Sequence, residues 1–156
     1  MVKSINELIN DLANDDEFVQ EESRVLLEEK GTEAVDPLIG ALLNNRNKDI
    51  KISSAKVLGA IRDKKAINPL ISTLSNPNKM VRREASTSLI KMGDGAVEPL
   101  IDLLDNEDWR IRGAASWALG SMGDKRAIEP LKALLNDESG YVKSGAKKSL
   151  DVLENI

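Results

Sequence analysis

Few residues of this chain are equipped for chemistry. Its 156 residues include no histidine and no cysteine. Thiolate nucleophiles, disulfides and cysteine-ligated metals are therefore excluded. The commonest general base and the commonest metal ligand are gone as well. No Asp/Glu spacing matches a calcium loop, and no serine sits in an elbow motif. The pair Asp15-Asp16 reads as a link followed by a helix cap. Gly93-Asp94-Gly95 and Gly120-Ser121-Met122-Gly123 read as turns and helix ends rather than phosphate loops. The sequence thus predicts no catalytic residue, no metal site and no cofactor, and the expected protein is not an enzyme. What is left is equipment for recognition: Phe18, Trp109, Trp117 and Tyr141, together with scattered lysines and arginines. Their meaning depends on the elements that carry them.

Those elements recur. Pro37, Pro69, Pro99 and Pro130 are spaced 32, 30 and 31 residues apart. Their settings match: Val35-Asp36-Pro37-Leu38, Ile67-Asn68-Pro69-Leu70, Val97-Glu98-Pro99-Leu100 and Ile128-Glu129-Pro130-Leu131. A fifth copy, Ile5-Asn6-Glu7-Leu8, has Glu7 in place of proline. A second ladder follows in Asp16, Asn47, Asn78, Asp108 and Ser139, all types that cap helix N-termini by accepting from a free backbone N–H. Three residues after each stands Val19, Ile50, Val81, Ile111 or Val142, and eight further Leu27, Leu58, Leu89, Leu119 or Leu150. A fixed period of this length is the signature of a repeat architecture.

Each repeat holds two helices joined by a short link, which forces an antiparallel hairpin. The first helices are expected near 4–13, 33–44, 64–75, 95–105 and 125–135, bent or restarted by their proline. The second helices are expected near 17–30, 48–61, 79–92, 109–122 and 140–154. The predicted architecture is an all-α solenoid of five hairpins, about ten helices, in one domain over 1–156. The repeats lie near 3–30, 31–61, 62–92, 93–122 and 123–156. Ile5, Ile9, Val152 and Ile156 fall on the outer faces of the end repeats, as core or as a weak interface.

At 100° per residue, positions 3, 7, 10, 11 and 14 after the cap share one arc of the second helix. In the fourth repeat these are Ile111, Ala115, Ala118, Leu119 and Met122, the expected core side. Positions 1, 2, 5, 6, 9 and 13 fall in the opposite arc, about 140° wide. All four aromatics lie there, and the predicted core has none. Aromatics normally serve the core because they carry the largest apolar area; placed on an open face, Trp and Tyr are binding anchors. Gly113, Ala114, Ser144 and Gly145 share the arc. Helical glycine costs about 1 kcal/mol relative to alanine, which suits a ligand that approaches the backbone between aromatic walls. The alternative is that Trp117 folds over the small residues and fills the space itself.

Charge on this arc is uneven. The first repeat contributes Glu17, Glu21, Glu22 and Glu29, whereas repeats two to five together carry +5, although the whole chain is at −4. The cations include Lys48, Lys56, Lys79, Arg83, Lys91, Arg110 and Lys148. The field favours an acidic partner surface bearing an apolar anchor, and would mainly speed encounter. The residues expected to touch that partner are Trp109, Arg110, Gly113, Ala114, Trp117, Tyr141, Lys148, Met80 and Arg83. No apolar run of signal-peptide or membrane-spanning length occurs, so a cytoplasmic protein with no membrane partner is expected. The net charge argues against nucleic acid, and a monomer is expected.

The repeat units resemble HEAT repeats. The resemblance is carried by Glu129-Pro130-Leu131-Lys132-Ala133-Leu134-Leu135 followed by Val142-Lys143-Ser144-Gly145-Ala146, and by Glu98-Pro99-Leu100 leading to Ile111-Arg112-Gly113-Ala114-Ala115. The link Gly123-Asp124-Lys125-Arg126-Ala127 resembles the HEAT-like subclass of phycobilisome lyases. HEAT repeats usually carry an Asp before the second helix and an Arg on its first turn. The matching positions are Asn14/Gln20, Asn45/Lys51, Asn76/Arg82, Asn106/Arg112 and Asp137/Lys143, which implies a ladder hydrogen-bonded more than ionic. HEAT-type hydroxylases hold iron with His and Glu, and the lack of histidine removes that branch. The resemblance implies a non-catalytic scaffold or adaptor that grips a protein on the face of the second helices. Two alternatives follow from it: an accessory subunit of a bilin-lyase-like or other enzyme, and a nucleic-acid-binding HEAT-like module. Fold alone does not choose among them.

Overall fold

The computed structural model describes residues 2–156, and helices account for its regular structure, with no strand among the described residues. In chain order the α-helices are α1 (Ile5–Asp11), α2 (Glu17–Lys30), α3 (Thr32–Asn44), α4 (Lys48–Ile61), α5 (Ile67–Thr73), α6 (Lys79–Met92), α7 (Val97–Asp102), α8 (Trp109–Met122), α9 (Ile128–Lys132) and α10 (Gly140–Glu154). The even-numbered members are the second helices of the five hairpins.

The cap ladder explains why those five helices start where they do. The side chains of Asp16, Asn47, Asn78, Asp108 and Ser139 accept from the backbone N–H of Phe18, Asp49, Met80, Arg110 and Val142 respectively. Two residues before each cap stands Asn14, Asn45, Asn76, Asn106 or Asp137. Each of these side chains accepts from the cap residue's own N–H. The link is thus a pair of nested side-chain turns that satisfies donors the helix cannot. The residue at the fourth helical position then ties the link down. Gln20 donates to the Asn14 carbonyl, Arg82 to those of Asn76 and Pro77, and Arg112 to those of Asn106 and Glu107. Lys51 reaches back to the Leu42 and Leu43 carbonyls.

Among the described residues the ladder contains one nearly buried ionic rung. Arg112 donates through Nε and Nη2 to the two carboxylate oxygens of Asp137, 2.9 Å each, with the side chains 10% and 7% exposed. The pairing therefore runs from the fourth repeat to the fifth, not from Asp137 to Lys143 within one repeat. The guanidinium holds the Asp137 carboxyl below its usual range, and the carboxylate raises Arg112 in return.

The first helices differ from the expected continuous spans. Pro37 lies inside the unbroken α3. In the next three repeats a 3₁₀ turn (Lys64–Ala66, Gly93–Ala96, Lys125–Ala127) leads into an α-helix that begins two residues before the proline. Proline in the first turn of an α-helix gives up an N–H that has no partner there anyway. The tighter 3₁₀ turn ahead of it absorbs the change of path. Two of these first helices also end in 3₁₀ turns, Leu103–Asp105 and Ala133–Asn136.

The chain forms two compact units, one ending at Met92 and one spanning Gly93–Ile156. The core of each is aliphatic. Leu27, Leu58 and Leu89 of the leucine ladder are buried in the first unit, Leu119 and Leu150 in the second. In each unit two second helices come into close contact at a Gly/Ser step. A Cβ on Gly59 of α4 would lie 2.8 Å from that of Ser88 on α6, and one on Gly120 of α8 would lie 2.7 Å from that of Ser149 on α10. Ser88 donates to the Ala55 carbonyl at 2.7 Å and Ser149 to the Ser116 carbonyl at 2.9 Å, so the contact satisfies a buried hydroxyl as it forms. Gly59 and Gly120 are 61 residues apart, and so are Ser88 and Ser149. At the chain ends Ile9 is buried, whereas Val152 and Ile156 are exposed.

Candidate functional site

The caps and the buried Leu119 and Leu150 fix the rotation of α8 and α10 about their axes, and that rotation decides which side chains face outward. Trp109, Arg110 and Trp117 project from α8 into solvent, Tyr141 and Lys148 from α10. Trp109 is 47% exposed, Trp117 48% and Tyr141 67%. The expected core residues Ala115, Ala118 and Leu119 are buried, while Ile111 and Met122 are half-buried. The aromatic side chains thus lie at the surface, and no aromatic is among the buried residues.

Two of the rings meet. Trp109 and Tyr141 pack edge to face, with centroids 5.5 Å apart and planes at 76°. Such a pair adds about 0.5–1.5 kcal/mol beyond its area and pre-orders both rings. Gly113 makes this possible. A Cβ there would lie 2.7 Å from Cε1 of Tyr141. This corrects one expectation: Gly113 is buried, and it accommodates a ring of the same chain rather than an approaching ligand. Ala114 is half-buried, and Gly145 opens onto free space. Trp117 is half-exposed and leaves the space over Gly145 unfilled.

The electrostatics of the face are softer than the bare charge count implies. Arg110 turns back on its own cap, with Nε and Nη2 each 3.3 Å from the Asp108 carboxylate oxygens. The Arg110 backbone N–H, and then its side chain, hold the Asp108 carboxyl below its usual range. Of the exposed lysines of α10, Lys148 shares the arc of Tyr141, while Lys143 and Lys147 lie on the other side of the helix. Met80 and Arg83 lie on α6 in the first unit, both exposed, beside exposed Lys79. Also in the first unit, α2 exposes Phe18, at 88%, and Val25 among Glu17, Glu21, Glu22 and Glu29. Glu21 is paired with Arg24, which lowers its carboxyl.

The sequence reading missed the seating of Tyr141 on Gly113. The available signal was a size match: glycine at position 5 of the fourth repeat and an aromatic at position 2 of the fifth, 28 residues on. It also missed a depression on the side of the first helices, about 260 Å³, lined by Ile101, Leu104, Pro130 and Leu134 with Asp102 and Asp105. Among the described residues no cluster of three potential metal ligands occurs, and no helix is long and apolar enough to cross a membrane.

Stacked helical hairpins with a capped second helix, an aliphatic core and a proline-marked first helix define an α-solenoid repeat protein. A family model for HEAT repeats matches residues 35–96 and 67–151, and the chain belongs to that family. Among solved structures it is similar to the complex of CpcE and CpcF of phycocyanin lyase from Nostoc sp. PCC7120. That match has 22% identity and a TM-score of 0.65, and covers 93% of this chain and 96% of the other. It is also similar to an archaeal HEAT-like repeats protein from Thermococcus onnurineus NA1, with 18% identity and a TM-score of 0.57 over 97% of this chain and 71% of the other. At these identities the likeness establishes the fold. No curated protein matches the chain.

Proposed function

We propose that this chain is a non-catalytic protein-binding scaffold or adaptor, monomeric and cytoplasmic, with its contact centred on Trp109, Trp117 and Tyr141. One observation carries the reading: Trp109, Trp117, Tyr141 and Phe18 are all exposed, and no aromatic is among the buried residues. An exposed Trp-Tyr pair, already ordered by its edge contact, presents large apolar area at little further entropic cost, which is the chemistry of an interface anchor. Lys148, Arg110 and Ala114 complete the face in the second unit, with Gly113 beneath it seating the Tyr141 ring, and Met80 and Arg83 offer similar chemistry in the first. The preferred partner is a protein surface with carboxylates around an apolar anchor.

Affinity capture from a native extract tests this, comparing wild type with a Trp109→Ala/Trp117→Ala variant of unchanged helicity. The reading expects a protein held by the wild type and lost by the variant. Equal capture by both would remove this face from consideration.

The similarity to CpcE and CpcF favours one second reading, an accessory subunit of a bilin-lyase-like enzyme. A bound bilin absorbs visible light, so a colourless protein that stays colourless with free bilin would end it.

A further inference from the structure

Helices α8 and α10 meet in a register that can be followed turn by turn. At the first step the small residue is Gly113 on α8 and the large one Tyr141 on α10. Four residues on along each helix, on the same face, the sizes are reversed, with Trp117 on α8 and Gly145 on α10. Beyond that, Gly120 meets Ser149. The outer two steps are closed: a Cβ on Gly113 would lie 2.7 Å from the Tyr141 ring, and one on Gly120 2.5 Å from Ser149 Oγ. The middle step is open, since a Cβ on Gly145 would meet nothing within 4 Å.

Glycine inside a helix is disfavoured relative to alanine. Packing accounts for Gly113 and Gly120, but nothing in the chain requires a glycine at 145. Gly40 of α3 is equally open, yet α3 carries no aromatic side chain. Gly145 is distinguished by its place beside two exposed rings, one turn after Tyr141 and across from Trp117. The charge on this arc is one-sided: from Gly140 to Leu150, α10 holds no acidic residue, and exposed Lys148 shares the arc of Tyr141 and Gly145, whereas Lys143 and Lys147, two residues either side of Gly145, fall on the opposite side of the helix.

We propose that Gly145 is a specificity-determining position, the floor of a slot between Tyr141 and Trp117. The slot takes one bulky apolar side chain from a partner protein segment whose flanking residues are carboxylates. The proposal rests on the scaffold reading above and refines it. A side chain at 145 would occupy the space the anchor needs, whereas the rings would hold the anchor from both sides and Lys148 would favour carboxylates beside it. Lys148 makes the interaction salt-sensitive.

The test uses the full chain and two short synthetic peptides, each with one central phenylalanine, flanked by glutamates in one and by lysines in the other. Tryptophan fluorescence is followed on titration of wild type, Gly145→Ala and Gly145→Leu. The wild type should bind the acidic peptide saturably and the basic one not. Gly145→Leu should weaken the acidic peptide about tenfold or more at a melting temperature no lower than that of wild type. Gly145→Ala should fall between them. Equal affinity of Gly145→Leu and wild type, preference for the basic peptide, or no saturable binding of either would overturn the proposal. The two readings fail differently in the capture experiment. A partner lost with Trp109→Ala/Trp117→Ala but kept by Gly145→Leu removes the slot and leaves the face, whereas a partner kept by the tryptophan variant removes the face itself.

Discussion

Helices α2 and α8 are built alike and present opposite surfaces. Both start from an aspartate whose side chain accepts from the second helical N–H, and both bury a leucine eleven positions after the cap, Leu27 and Leu119. On the open arc, α2 shows Glu17, Phe18, Glu21, Glu22 and Val25, while α8 shows Trp109, Arg110 and Trp117. The buried positions are constrained by packing against neighbours and by backbone donors that must be satisfied, so they repeat. The outward positions carry no such constraint, so they are free to differ between repeats. The two units differ in a second way: the second has a nearly buried ion pair, Arg112–Asp137, where the first ties its links with neutral amides and cations on carbonyls.

That contrast can be broken first at Arg112. Arg112→Ala leaves Asp137 nearly buried without its cation and removes the tie to the Asn106 and Glu107 carbonyls. A cost of about 3 kcal/mol is expected, read as lost amide-exchange protection in α8 and α10 with α4 and α6 little changed. Equal loss in both units would contradict a local role.

A bulky residue at a Gly/Ser step comes next. Gly120→Val places a branched side chain where even a Cβ would lie 2.5 Å from Ser149 Oγ, at an expected cost of about 2 kcal/mol. Gly59→Val should behave alike in the first unit, because Ser88 stands at the same distance range. A chemical-denaturation series on the two variants checks whether these steps are equivalent.

Acid sharpens the comparison more gently. The Asp137 carboxyl is held below its ordinary value of 3.8 by Arg112. Its contribution is therefore fully present above the unfolded value, about pH 4, and is lost as pH falls through the lowered folded value. Asp137→Asn should be less stable than wild type near neutrality, with the gap narrowing below about pH 4. A gap that stays constant down to acid would show that the ionised carboxylate is not what matters.

The smallest effect sets one substitution against itself. Gly145→Ala should stabilise by up to about 1 kcal/mol through helix propensity. Gly113→Ala should forfeit that gain, because its methyl meets the Tyr141 ring. Thermal melts of the pair separate a glycine required by packing from one that packing does not require.

The second helices were legible in the sequence to the residue, because caps, β-branched residues and leucines fix both their ends and their rotation. The first helices were less so. Their apolar pattern signals a helix, but whether a given turn is α or 3₁₀ depends on how the chain enters the proline, as the contrast between α3 and α5 shows. The outward placement of Trp109, Trp117 and Tyr141 followed from periodicity alone. The seating of Tyr141 on Gly113, the return of Arg110 to Asp108 and the Arg112–Asp137 rung did not. Each depends on the offset between neighbouring helices or on a rotamer, and neither is visible along a single helix.

The most direct test of the central claim is a binding titration with a purified captured partner. It compares wild type, Trp109→Ala/Trp117→Ala on the aromatic face, and Phe18→Ala/Val25→Ala on the acidic face of α2. Loss of about 2 kcal/mol or more in the tryptophan variant, with the α2 variant near wild type, is the predicted result. Undiminished affinity in the tryptophan variant would contradict the account.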